Sequence, residues 1–271
     1  MVIKMKKIKK SIFLIIFCVS FIIAIPFAIK SIAQSGILNT ESENTEIQTV
    51  TESKSETPKE QTAVPTTEVS NIDEKYNFTN VSADYFQNAL FIGDSRTVGL
   101  YEYGTLKQAT YFANTGMSVY NVFSSAVSVP TVGKVKLTEL LNKKDYGKIY
   151  VMLGINELGY NFEATVKKYS ELLEAIKAAE PNAIIFIEAN LHVTKSHSDS
   201  DKIFNNQNIN RFNQEIKKFA DGKTTFYIDI NAVFDDENGS LDKKYTSDNA
   251  HVLGKYYADW SSWFCTKAIL K

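Results

Sequence analysis

Five short apolar runs punctuate the C-terminal two-thirds of the chain, at 89–92, 110–113, 148–153, 183–188 and 224–230. Their length and their β-branched and aromatic content predict strands. Between them the apolar positions change to helical spacing. Over 164–180, Val166, Tyr169, Leu172, Leu173 and Ile176 share one face, and Pro181 stops the run. Over 202–220, Phe204, Ile209, Phe212, Ile216 and Phe219 do the same, and Asp221-Gly222 ends it. Further helices are expected to start near Thr97 and near Gly254. Strands that are apolar throughout are covered on both faces, and strands alternating with helices build a parallel sheet, so the pattern predicts an α/β domain. In such domains ligands bind at the carboxyl ends of the strands.

The N-terminal third reads differently. Lys4, Lys6, Lys7, Lys9 and Lys10 precede an uncharged apolar stretch at 12–29, which as a helix would be about 27 Å long, close to the thickness of a bilayer core. A single-pass anchor over 1–33 is expected, its N-terminus cytoplasmic and everything after it outside the cell membrane. The competing reading is a secretory signal cleaved near Ala33, where Ser31 and Ala33 provide the small residues of a cleavage site. A lipoprotein anchor is disfavoured, because Phe17 precedes Cys18 and that cysteine lies in mid-span. Over 34–75 the composition turns to Thr, Ser, Glu, Gln and Pro, with nine acids against three lysines, which predicts a disordered, extended linker. The remainder, 76–271, reads as one domain. A net charge of −1 over the whole chain argues against a nucleic-acid partner. Two cysteines, Cys18 and Cys265, make no disulfide framework.

Chemistry-bearing residues collect where the predicted strands end. The first run leads into Gly93-Asp94-Ser95-Arg96, a hydroxyl at a strand-to-helix turn, where Asp94 and Ser95 are equally readable as helix caps. The second leads through Asn114-Thr115 to Gly116, which can offer a bare N–H or simply allow a tight turn. The third leads to Gly154-Ile155-Asn156-Glu157, whose amide is suited to an oxyanion, or whose Asn-Glu pair caps the next helix. Near the C-terminus, Asp248 and His251 stand three residues apart, a spacing that lets a carboxylate orient an imidazole for proton transfer. The other two histidines, His192 and His197, are read as structural or solvated.

These four motifs, in this order, resemble the SGNH, or GDSL-type, hydrolase superfamily over about 86–271. The resemblance implies a flavodoxin-like, three-layer α/β/α sandwich with a mainly parallel five-stranded sheet. It also implies a catalytic triad of Ser95, Asp248 and His251, and an oxyanion hole made by the backbone N–H groups of Ser95 and Gly116 with the Asn156 amide. The expected activity is serine-dependent ester hydrolysis with no cofactor and no metal site. Two positions depart from the family pattern. Arg96 replaces the apolar residue after the serine, a candidate contact for an acidic substrate unless it pairs with a surface carboxylate. Asn249-Ala250 replaces the commoner Gly-x before the histidine. Export on a membrane tether points to acylated wall or capsular carbohydrate as the substrate, with Tyr101, Tyr103, Tyr111 and Phe112 forming either a sugar-stacking wall or core. The alternatives are an O-acetyltransferase served by a separate membrane acyl-donor protein, and a non-catalytic glycan-binding module.

Overall fold

The computed structural model describes residues 76–270. Among them no helix is long and apolar enough to cross a membrane. The expected anchor over 1–33 and linker over 34–75 lie outside the described residues.

After a 3-10 turn at Ala83–Phe86 comes β1 (Ala89–Gly93), followed at once by α1 (Ser95–Tyr103) and then β2 (Thr110–Ala113). An antiparallel hairpin follows, β3 (Ala126–Val129) and β4 (Gly133–Lys136), and leads into the short α2 (Leu137–Leu141). Next come β5 (Lys148–Met152), α3 (Phe162–Ala179) and β6 (Ile184–Glu188). The C-terminal part holds α4 (Lys195–Ser200), α5 (Asn206–Lys217), β7 (Thr225–Ile228), α6 (Asn231–Phe234) and α7 (Tyr257–Phe264). Strands pair in the order β2-β1-β5-β6-β7, all parallel, giving the expected five-stranded sheet.

Alternate residues of these strands feed two cores. On one face Leu90, Ile92, Ile149, Val151, Ile185 and Ile187 pack under α2, α3 and α5. On the other an aromatic residue occupies the same register position in every strand: Tyr111, Phe91, Tyr150, Phe186 and Phe226. Neighbouring rings along this row lie 5.1, 4.4, 4.5 and 6.0 Å apart between centroids. A slip of one residue in any strand would drive its ring to the opposite face, so the row pins the register and brings the carboxyl ends of the strands into line. Phe264 and Trp260 of α7 and Leu100 of α1 cover this face.

The structure differs from the sequence reading at several elements, the short helices α2, α4 and α6 among them. The helix expected from 202 starts at Asn206, because Asp201 accepts the N–H groups of Ile203 and Phe204 in a turn and Asn205 then caps the helix by accepting from Asn208 N–H. The β3–β4 hairpin was not predicted, since only Val127, Val129 and Val135 of its residues are buried and the apolar signal is correspondingly thin. The helix expected from Gly254 begins as a single 3-10 turn, Gly254–Tyr256, and becomes α-helical at Tyr257.

Candidate active site

Because β1 is flanked by β2 and β5, the three loops carrying Ser95, Gly116 and Asn156 leave adjacent strands at one edge of the sheet. Ser95 is the first residue of α1. Asp94 caps that helix, its fully buried carboxylate accepting the Arg96 N–H at 2.9 Å. The N–H of a first-turn residue has no partner within its helix, so the Ser95 N–H is free to face developing negative charge.

Two contacts join the other loops. The Asn156 side-chain amide donates one N–H to Met117 O at 2.9 Å, the carbonyl of the residue after Gly116. Glu157 is 2% exposed and accepts the Val119 N–H at 2.5 Å. Burial pushes this carboxyl up to about 7, even though that N–H favours its charge. Glu157 is therefore a clamp between loops, and the cap of the following helix is Asn161, which accepts from Ala164 N–H. The backbone of Gly116 has φ +75°, and that of Gly154 has φ +120° with the Phe212 ring where a Cβ would stand. Behind Gly154, Asn190 donates to Leu153 O at 3.1 Å and is itself held by Asn213 and Asn231, which fixes the exit of β5.

His251 reaches this edge from the loop before α7. Its Nε2 lies 2.9 Å from Ser95 Oγ, and its Nδ1 lies 2.7 Å from Asp248 Oδ2. With the serine hydroxyl donating to Nε2 and Nδ1–H donating to the carboxylate, the imidazole holds the tautomer a general base requires. Partial burial opposes the charge on Asp248, but the His251 ring and the N–H groups of His251 and Ala250 outweigh it and hold the carboxyl well below the usual range. The site is shallow: the His251 and Asp248 side chains are 43% and 53% exposed.

Both departures from the family pattern find local explanations. Asn249 has φ +71°, a left-handed conformation that asparagine tolerates better than most non-glycine residues. It is held there by Thr194, which donates its N–H to Asn249 O at 2.9 Å and its hydroxyl to Asn249 Oδ1 at 3.0 Å. Arg96 is not a substrate contact. It is 2% exposed, lies 4.0 Å from Asp94 Oδ2 and donates from Nη2 to Ala250 O at 3.3 Å. Its carboxylate partner is buried rather than on the surface, because the side chain turns inward and braces the histidine loop against the serine turn. Of the four aromatic candidates, Tyr111 and Phe112 belong to the core, whereas Tyr101 and Tyr103 are exposed.

His192 is structural. Its Nδ1 is 2.7 Å from Asp235 Oδ2 and its Nε2 is 2.7 Å from Asn210 Oδ1. Glu157 and Thr194 were not picked out as site-building residues, and Arg96 was picked out only as a candidate substrate contact, not as a brace. The sequence signals available were positional: Glu157 directly follows Asn156, and Arg96 directly follows Ser95. Among the described residues no group of three His, Cys, Asp or Glu side chains is placed to hold a metal ion.

Comparison with known proteins agrees with this architecture. The model of the GDSL-like lipase/acylhydrolase family matches residues 91–257. No curated protein matches the chain by sequence. Among solved structures, a Streptococcus pneumonia protein described as a platelet activating factor is similar with TM-score 0.54 and 18% identity, covering 68% of this chain and 90% of that one. A GDSL-like lipase from Bacteroides thetaiotaomicron is similar with TM-score 0.50 and 16% identity, covering 70% and 90%. At these identities the two structures speak to the fold, whereas the family match spans more than half of the chain and includes the serine turn, the loops carrying Gly116 and Asn156, and the Asp248–His251 pair. The chain belongs to the GDSL-like lipase/acylhydrolase family and is an SGNH-type ester hydrolase.

Proposed function

We propose that this hydrolase acts outside the cytoplasmic membrane and removes short acyl groups, acetyl above all, from cell-wall or capsular carbohydrate. The reading of the reacting groups rests on the line of hydrogen bonds from Ser95 Oγ through His251 to Asp248, at 2.9 and 2.7 Å. Ser95 passes its proton to His251 Nε2 as Oγ attacks the ester carbonyl carbon, and Asp248 stabilises the imidazolium that forms. The carbonyl electron pair moves onto oxygen, where the N–H groups of Ser95 and Gly116 and the second amide hydrogen of Asn156 receive it. Collapse expels the sugar oxygen, which takes the proton from His251. Water then repeats the sequence on the acyl-serine and releases the acid. The extracytoplasmic location is supported by the lysine-rich start and the apolar stretch at 12–29. A polymeric substrate is supported by the open, shallow setting of His251 and Asp248, which admits a bulky alcohol.

The test is labelling of the full-length protein with a fluorophosphonate, followed by peptide mapping. Labelling at Ser95 is expected, absent in Ser95→Ala and at least 100-fold slower in His251→Ala. A folded protein that resists the probe would remove Ser95 as the nucleophile. Release of acetate from O-acetylated glycan in water, without acetyl transfer to added oligosaccharide, is the outcome expected of a hydrolase.

A further inference from the structure

Beside the end of β2, between α1 and the β3–β4 hairpin, lies a pocket of about 200 Å³ that opens to solvent. Val98 and Tyr101 line it from α1, Asn114 and Thr115 from the loop after β2, and Ser128 and Pro130 from the hairpin. Thr115 immediately precedes Gly116, and Val98 is one helical turn beyond Ser95, so the pocket adjoins the reacting groups. We propose that it is a subsite for a neutral sugar ring of the glycan that bears the scissile ester. This deepens, and rests on, the carbohydrate reading above.

The lining has the two parts that a sugar requires. One is an aromatic face: Tyr101 is 43% exposed, and its ring is backed by Tyr111 at 5.6 Å. The backing ring is fixed, since Tyr111 donates its hydroxyl to Leu106 O at 3.1 Å. Lys107 ties down the end of α1 by donating to the carbonyls of Tyr101 and Glu102. An electron-rich ring backed in this way attracts the C–H face of a pyranose. The other part is a set of uncommitted polar groups. Asn114, Thr115 and Ser128 are exposed, and among the described residues their side chains make no hydrogen bond, so an amide and two hydroxyls remain for sugar hydroxyls.

Other ligand chemistries fit less well. An acyl chain lying here would strip water from those three groups and replace none of their hydrogen bonds. An anionic ring would meet the Glu102 carboxylate, which itself lines the pocket, whereas the Lys107 ammonium, 5.8 Å from the Tyr101 ring centroid, is held by the Tyr101 and Glu102 carbonyls and is not among the lining groups.

The deciding experiment separates this subsite from the chemistry at Ser95. Full-length Ser95→Ala protein is titrated by calorimetry with xylotetraose and with N-acetylchitotetraose. At least one is expected to bind, with Kd raised tenfold or more when Tyr101→Ala is added. The same loss is expected from Ser128→Trp, which fills the pocket from an exposed hairpin position and guards against a misfolded Tyr101 variant. No binding of either sugar, or binding that both substitutions leave intact, overturns the subsite whatever the fate of Ser95. In the active protein, the ratio of kcat/KM for O-acetylated xylotetraose to that for p-nitrophenyl acetate should fall at least tenfold in both variants, through a higher KM for the tetraose. An unchanged ratio overturns the assignment. Loss of fluorophosphonate labelling with sugar binding retained would instead sink the hydrolase mechanism and leave the subsite standing.

Discussion

Asp248 divides its oxygens between two tasks. Oδ1 accepts the N–H groups of Ala250 and His251 and the Thr246 hydroxyl, which shapes the turn, while Oδ2 holds the imidazole. This pairing was legible in the sequence because both partners lie within one turn. Arg96 was not legible in this way: the carbonyl it reaches belongs to Ala250, 154 residues further along the chain. Asn156 stands between these cases. Its amide donates one hydrogen to Met117 O. Asn156→Ala should lower kcat on p-nitrophenyl acetate by roughly 100- to 1,000-fold with little change in KM. The lost hydrogen bond should cost only about 1 kcal/mol of stability by urea denaturation. A rise confined to KM would mean that Asn156 binds the substrate without stabilising the oxyanion.

The loops at the carboxyl edge are held by one another as much as by their strands. Val119 N–H on Glu157 and Asn156 on Met117 O join the loop after β2 to the loop after β5, in front of the β1 end. Two glycines in these loops separate strain from clash. Gly116 has φ +75° with open space around the missing Cβ, so Gly116→Ala should cost about 1–2 kcal/mol of strain and leave a folded protein. Gly154 combines φ +120° with the Phe212 ring 2.0 Å from where a Cβ would be. Gly154→Ala should cost more, about 3 kcal/mol or above, read as a lower urea midpoint at an unchanged m value. Equal losses at the two sites would show that backbone strain alone decides. At this scale the sequence placed both glycines at strand ends, but the Phe212 contact comes from α5 and was invisible to it.

Buried acids give the whole molecule a pH-dependent stability. Glu188, at the end of β6, is fully enclosed, and burial followed by the nearby Asp94 charge pushes its carboxyl from 4.5 up to about 8. The folded protein therefore holds a proton there that the unfolded chain has already lost. Stability from this group is complete below about pH 4.5 and declines as pH rises through about 8. Glu157 acts with the same sign. So does His192: burial alone would push its ring down, but Asp235 on Nδ1 and Asn210 on Nε2 outweigh that and raise it. Chemical denaturation of wild type should show stability falling by roughly 2–4 kcal/mol between pH 5 and pH 8 on account of Glu188. Glu188→Gln should flatten that slope and be the more stable protein at pH 8. A slope left unchanged by the substitution would mean that Glu188 is ionised in the fold.

Taken by itself, the sequence determined the order and type of the principal elements and the identity of the residues at the strand ends. Both are local properties: apolar periodicity is set by which face is buried, and a turn or an i,i+3 pair is written in adjacent positions. The five strands, α3 and the Asp248–His251 pair were all readable on those terms. Tertiary structure decided what depends on partners distant in the chain. It set the common register of the aromatic row, the hairpin that walls the pocket, the inward turn of Arg96 and the ring of asparagines behind Gly154. It also brought Ser95 to within 2.9 Å of His251 across 156 residues. Such contacts carry no periodic signal, because each depends on where the sheet and its covering helices place two chain segments in space.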